Sequence, residues 1–174
     1  MRKIILINPP FNIAKANYDS SVSVGLLSIA SYLDSKGIPV EIVDGARQKN
    51  YLDLIKKSAG ECGYAGISAM TTQISSGLDI SRLIKKTNPR CKIIWGGPHP
   101  TFFRKQTLEH HLIDIVCVGE GEEVALEIVS GADIKNIKGI GFKEGNSIKI
   151  NAPHALHDPS KMPLFKWELI NREV

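Results

Sequence analysis

The sequence predicts an α/β protein, a doubly wound, five-stranded parallel sheet with helices on both faces, closed by a C-terminal β-hairpin. Three observations predict it. Short apolar runs recur at 3–8, 39–44, 63–68, 91–95 and 114–118, separated by stretches with helical apolar spacing, which is the alternation of βαβ units. Those runs are close to continuously apolar, as strands covered on both faces are. Last, 137–142 and 148–150, joined through Glu144-Gly145-Asn146, have the form of a hairpin. The class is the one that contains Rossmann and flavodoxin-like sheets.

Each element follows from local chemistry. Lys3 to Asn8 is a buried strand that ends at Pro9-Pro10-Phe11, because proline cannot continue a central strand. Apolar residues at 22, 26, 27, 29, 30 and 33 make a helix over 22–36, and Gly37 stops it. Pro39 to Asp44 is the second strand, Leu52 to Ala59 a short helix, and Gly63 to Ser68 a third strand of small residues. After Met70, Thr71 and Thr72 a helix runs to Thr87, with Ile74, Leu78, Ile80 or Ser81, and Ile84 inward; Asn88-Pro89 breaks it. The strand from Cys91 to Trp95 stops on Gly96-Gly97-Pro98, and Pro98 and Pro100 stiffen the exit loop. A poorly periodic helix spans 101–109. The fifth strand, 114–118, ends on Gly119-Glu120-Gly121-Glu122, and a helix over 123–129 follows. Past Ala152 periodicity is lost, and Pro153, Pro159 and Pro163 mark an extended strap through Leu164-Phe165-Lys166-Trp167.

At 174 residues the chain makes one domain with a short tail. A net charge of +4 comes from lysines and arginines scattered over helices, and aromatics make up only 6%, so neither a basic patch nor a base-stacking platform for nucleic acid is present. The cysteines Cys62, Cys91 and Cys117 lack C-x-x-C or Cys/His ligand spacing, which excludes zinc and iron–sulfur sites; Cys91 and Cys117 fall in strands as small core residues. No run has the length of a signal peptide's apolar segment or a membrane span, so no membrane partner is expected and the cytoplasm is the expected compartment.

Four strand ends carry unusual chemistry: Asn8-Pro9-Pro10, Ser68 to Thr72, Gly96 to Pro100 and Gly119 to Glu122. In a doubly wound sheet they converge on the edge where ligands bind. Two glycines at a strand's carboxyl end leave bare backbone against which a flat group can lie. A phospho-acceptor domain needs acids where Asn8 and Ser68 stand. A dinucleotide site needs G-x-G-x-x-G where Pro9-Pro10 supplies no amide donors. Ser68 lacks nucleophile-elbow glycines, and no Ser–His–Asp or Cys–His arrangement stands out. The chemistry is that of a cradle, with no catalytic residues assigned.

The residues also resemble a known family. Ser68-Ala69-Met70 followed by Gly96-Gly97 resembles the S-x-L … G-G pair of cobalamin-binding domains. The wider set Asn8-Pro9-Pro10, Val24-Gly25-Leu26-Leu27-Ser28-Ile29-Ala30, Gly96-Gly97-Pro98-His99-Pro100-Thr101 and Gly119-Glu120-Gly121-Glu122 resembles the N-terminal cobalamin-binding domain of cobalamin-dependent radical S-adenosylmethionine enzymes, from residue 3 to about 170. The resemblance implies that Ser68, Gly96 and Gly97 line a slot for the cofactor's nucleotide tail. It also departs from the D-x-H-x-x-G pattern of methionine-synthase-like domains. Aligning that glycine on Gly25 puts Ser20 in place of the aspartate and Val22 in place of the cobalt-ligating histidine. The resemblance then implies base-off cobalamin with no protein histidine below the metal and no metal-ligating residue in this chain.

Around that slot Val22 and Val24 would floor the ring. Gly25 would face the corrin or serve helix–sheet packing, and Ser68, Thr71 and Thr72 would contact the cofactor or cap the next helix. Met70, Pro98, Pro9, Pro10 and Phe11 border the same rim, with Phe11 covering the ring edge or packing on the sheet. Gly119, Glu120 and Gly121 would bond corrin amides through backbone, while Glu122 and Glu123 serve the helix N-terminus. His99 hydrogen-bonds within its turn or reaches a corrin side chain; His110, His111, His154 and His157 are expected in solvent. No C-x-x-x-C-x-x-C motif occurs in these residues. The resemblance therefore implies a cobalamin-binding domain over 1–150 and a connector over 151–174 that leads to a catalytic barrel carrying S-adenosylmethionine and a [4Fe-4S] cluster, in a parent methyltransferase or a related, ring-rearranging enzyme. The alternative is a flavodoxin-like module for another ligand or a domain partner, its glycines structural.

Overall fold

A computed structural model describes residues 3–11 and 22–170. The elements are β1 (Ile4–Asn8), α1 (Val24–Ser35), β2 (Val40–Asp44), α2 (Tyr51–Ala59), β3 (Tyr64–Ser68), α3 (Ile74–Thr87), β4 (Lys92–Gly96), α4 (Pro98–Phe102), α5 (Arg104–Glu109), β5 (Ile115–Cys117), α6 (Glu122–Val129), β6 (Ile140–Glu144) and β7 (Ser147–Ile150). Single 3₁₀ turns occur at Thr71–Gln73, Pro159–Lys161 and Trp167–Leu169.

One seven-stranded sheet runs β2-β1-β3-β4-β5-β6-β7. Pairings among β1 to β5 are parallel, and the last two are antiparallel. The sheet thus has seven strands and not five, because the hairpin joins β5 edge to edge, with Ile115 opposite Phe142 and Cys117 opposite Ile140. Beginning on β1 and reversing direction between β2 and β3, the strand order has its switch point beside β1, where α/β sheets open a crevice.

Register then assigns every side chain to a face. Leu6, Gly66, Ile94 and Ile115 lie side by side, as do Ile7, Ile67, Trp95 and Val116. The second row belongs to a core with Ile55 of α2, Ile80 and Ile84 of α3 and Leu108 of α5. The first row belongs to a core with Leu26, Ala30 and Leu33 of α1 and Val124, Ala125 and Ile128 of α6. Trp95 explains why both Ile80 and Ser81 are buried: its ring lies over Gly77, where an added Cβ would sit 3.0 Å from ring atoms, and its Nε1–H donates to Ser81 Oγ at 3.1 Å.

Two expectations change. Pro98 and Pro100 do not stiffen a loop. They occupy the first turn of α4, where proline's missing N–H has no helical partner to lose. The helix expected over 101–109 is two short helices separated at Phe103. Among its described residues, to 170, the strap past β7 carries no further helix or strand beyond two 3₁₀ turns, yet it stays on the α1/α6 face. Asn151 Nδ2 donates to Ile134 O and Ile137 O, Gly139 N–H to Ala152 O, and Leu169 packs into the second core. Among the described residues no helix is long and apolar enough to cross a membrane. The three cysteines are free and buried, with Cys62 and Cys91 sulfurs 3.4 Å apart.

Candidate functional site

The strand ends are tied to one another by hydrogen bonds that fix their direction. Ala69 N–H donates to Gly96 O at 2.9 Å and His99 N–H to Ala69 O at 3.1 Å, joining the exits of β3 and β4. Gly119 N–H donates to Thr101 Oγ1 at 3.2 Å, joining β5 to α4. Gly97 turns the chain at φ +93°, a conformation almost confined to glycine, and a Cβ there would lie 3.0 Å from Ser68 Oγ. These three rims face the same way.

Below them is a cavity of about 390 Å³ between the sheet and helices α1 and α6. Its floor is Leu6, Gly66, Ile94, Gly96 and Cys117, and its roof Val24, Gly25, Ser28, Ile29 and Ala125. Its floor drops at Gly96, where β4 omits a side chain on this face; at Gly66 the Leu6 side chain already takes the space, 2.8 Å from where a Cβ would sit. Gly66 stands between Leu6 and Ile94 in the register, and Gly96 follows beside Ser68. A Cβ on Gly96 would meet nothing nearer than Cys117 Cβ at 3.7 Å, so the space above it is open. Cys117 contributes bulk and no charge, since burial and then the nearby Glu122 push its thiol up to about 12.

Polar groups gather at one end. Ser28 Oγ–H donates to Glu122 Oε1 at 2.5 Å, bridging α1 and α6. Glu120 Oε2 accepts from His157 N–H at 2.9 Å and lies 2.8 Å from His157 Nδ1. Glu122 is buried, so it does more than complement the start of α6 as expected.

Of the residues expected at the site, Val24, Gly25, Ser68, Gly96, Gly97, Gly119, Glu120 and Gly121 line the cavity together. Met70, Thr71, Thr72, Pro98 and His99 form the shoulder above β3 and β4, outside it. There Thr71 Oγ1 is 3.2 Å from His99 Nδ1, and the imidazole stacks on Phe103 at 4.9 Å. Burial holds the His99 pKa below its ordinary 6.5. Pro9, Pro10 and Phe11 border the β1 exit, also outside the cavity. Their loop is clipped to the start of α3 and the 3₁₀ turn before it: Gln73 Nε2 donates to Asn8 Oδ1 at 3.0 Å and Pro9 O at 2.6 Å, and Ser76 Oγ–H to Pro10 O at 2.7 Å. Val22 is half-buried just before α1 and does not line the cavity; Ser20 lies outside the described residues.

Sequence reasoning missed Gly66, Ser28, Glu122, His157 and Phe165 as cavity residues. A glycine inside a strand was the available signal for Gly66. His154 and His157 are not solvated as expected. Their side chains are 19% and 17% exposed, the first 3.5 Å from Glu123 and the second on Glu120. Among the described residues no cluster of His, Cys, Asp and Glu is arranged to hold a metal ion.

A model of the B12-binding domain family matches residues 11–129, more than half of the chain. The chain belongs to that family. This B12-binding domain is 29% identical over 180 residues to an uncharacterized methyltransferase of Pyrococcus horikoshii, a match covering 97% of the chain and 39% of that protein. Over 89 residues it is 30% identical to the anaerobic magnesium-protoporphyrin IX monomethyl ester cyclase of Cereibacter sphaeroides, covering 47% of the chain and 14% of the cyclase. Two solved structures share the fold. The cobalamin-dependent S-adenosylmethionine radical enzyme OxsB, with aqua-cobalamin bound, superposes with TM-score 0.75 at 20% identity over 90% of this chain and 23% of its own. The radical S-adenosylmethionine methyltransferase TsrM of Kitasatospora setae, with cobalamin and a [4Fe-4S] cluster bound, gives 0.71 at 18% identity over 93% and 31%. The domain thus spans well under half the length of these relatives.

Proposed function

We propose that this chain is the cobalamin-binding domain of a cobalamin-dependent radical S-adenosylmethionine methyltransferase. The observation that carries the reading is the cavity over Gly96 between the sheet and α1/α6. A mostly apolar cleft with a side chain omitted from its floor suits a planar heteroaromatic base, and Ser68 at its mouth offers that group a hydroxyl. Ser68, Gly96 and Gly97 would hold the nucleotide tail. Val24, Gly25, Gly119, Glu120 and Gly121 would border the corrin, with the shoulder of Met70, Thr71, Thr72, Pro98 and His99 and the Pro9-Pro10-Phe11 loop farther out. When bound, cobalamin supplies a cobalt centre that takes up and hands on a methyl group. The chain's own part is to bind, orient and exclude water.

Several finer points belong to the same proposal. Val22 offers no cobalt ligand, which favours the base-off form with no histidine beneath the metal. Residues 1–150 would form the cofactor domain and 151–174 a connector towards a catalytic barrel holding S-adenosylmethionine and a [4Fe-4S] cluster. The barrel is then the protein partner, and the compartment is the cytoplasm.

Titrating the protein with hydroxocobalamin to saturation, desalting it and recording the visible spectrum tests the reading. Retained absorbance with a base-off shape is the expected result. A protein that takes up no corrinoid at any concentration overturns it.

A further inference from the structure

The slot has a wall that no strand end supplies. His157 and Phe165, both from the strap, line the same cavity as Ser68, Gly96 and Glu122. They are anchored on opposite sides of it. At one side His157 sits on Glu120, in the loop before α6, and on Glu122, its first residue, with Nδ1 2.8 Å from Glu120 Oε2 and 3.8 Å from Glu122 Oε2. At the other, Lys166 N–H donates to Ser31 Oγ at 2.8 Å and Lys166 Nζ lies 2.7 Å from Asp34 Oδ2, both on α1. Between these anchors the strap crosses from α6 to α1. It brings with it the Phe165 ring, which meets Trp167 edge-on at 6.1 Å and remains 41% exposed.

A strap that served only to leave the domain would need neither anchor. A segment pinned at both edges of a cleft, with an aromatic ring and an imidazole lining the cavity, instead completes an enclosure. Aromatic rings gain most from a flat apolar partner laid against or edge-on to them. We propose that the strap is the outer wall of the nucleotide-tail slot. Phe165 is the contact residue and His157 the residue that positions the strap, so the domain selects corrinoids that carry a planar heteroaromatic tail. This rests on the cobalamin reading above.

The test compares aquacobalamin with diaquacobinamide, which has the same corrin and no nucleotide, by absorbance titration of the full chain. Wild type binds aquacobalamin more tightly. Phe165→Ala weakens aquacobalamin by about tenfold and leaves diaquacobinamide within about twofold, as loss of one partly buried aromatic contact to the tail requires. Phe165→Leu recovers most of the loss, and His157→Ala shifts the same ratio in the same direction. Diaquacobinamide binding doubles as the control for folding, since it needs the rims and not the strap. Equal weakening of both corrinoids by Phe165→Ala, or no change in either, overturns the inference while leaving the cobalamin reading intact. Wild type that binds neither corrinoid overturns both.

Discussion

At the scale of single residues, Gly96 and Gly97 are adjacent and do different work. Gly96 has ordinary strand geometry and room for a Cβ, whose nearest neighbour would be Cys117 Cβ at 3.7 Å. Gly97 has φ +93° and a Cβ there would crowd Ser68 Oγ at 3.0 Å and Ala69 N at 3.1 Å. Gly96→Val should therefore fold with a stability change under about 1 kcal/mol, the span of strand propensity, yet fill the cavity and abolish hydroxocobalamin uptake. Gly97→Ala should cost about 1–3 kcal/mol by forcing a side chain into a glycine conformation. Urea unfolding of the two variants checks the first quantity, and hydroxocobalamin titration the second. Equal destabilisation would show that the open space at Gly96 does not exist. The glycine pair was legible in the sequence because adjacent glycines ending an apolar strand are costly without a use. Gly66 was harder to place, since a glycine inside a strand signals a close approach but, among the small residues of 63–68, does not tell a floor position from loose packing. Only its register between Leu6 and Ile94 does so.

At the scale of elements, the opposite end of the sheet is held by one carboxylate. Asp114, just before β5, accepts from Ile93 N–H at 2.8 Å, from Lys85 Nζ at 2.7 Å and from Lys92 Nζ at 3.3 Å. Burial alone would raise its pKa. The Ile93 amide and the two lysines outweigh that and hold it below the ordinary 3.8. A carboxyl depressed by folding contributes stability that is fully present above its unfolded value and is lost as pH falls through the folded one. Asp114→Asn should cost about 1–3 kcal/mol at neutral pH, typical of losing charge-assisted bonds at a partly buried site. The gap from wild type should close as the solution is acidified below 3.8. Denaturant melts of both proteins across pH 2–7 measure it; a gap independent of pH would mean the amide, and not the charge, carries the contact. Element order was readable because alternating apolar runs admit few topologies. The division of 98–109 into α4 and α5 was not, since prolines that break a helix interior also start one, and only the surrounding hydrogen bonds distinguish the two uses.

At the scale of the molecule, the strap decides whether the domain is an open tray or a closed slot. Its aperiodic, proline-rich sequence reads as a tether, because contacts made at irregular spacing leave no pattern. The anchors at His157 and Lys166 emerge only when the chain has folded back over α6 and α1. A slot bordered by sheet, helices and strap couples ligand and fold, since a cofactor bound between them is lost when any of them unfolds. At a free cobalamin concentration about 100 times its Kd, linkage adds about 2.7 kcal/mol, which for a chain of this size raises Tm by roughly 5–11 °C. Differential scanning calorimetry with aquacobalamin should show one cooperative transition moved up by that amount. Diaquacobinamide at the same concentration should move it less, because it leaves the space over Gly96 unfilled. A shift of equal size for both corrinoids would place all the binding energy at the rim and none in the slot. Gly96→Val would then be expected to retain its colour, so calorimetry and spectroscopy fail or succeed together.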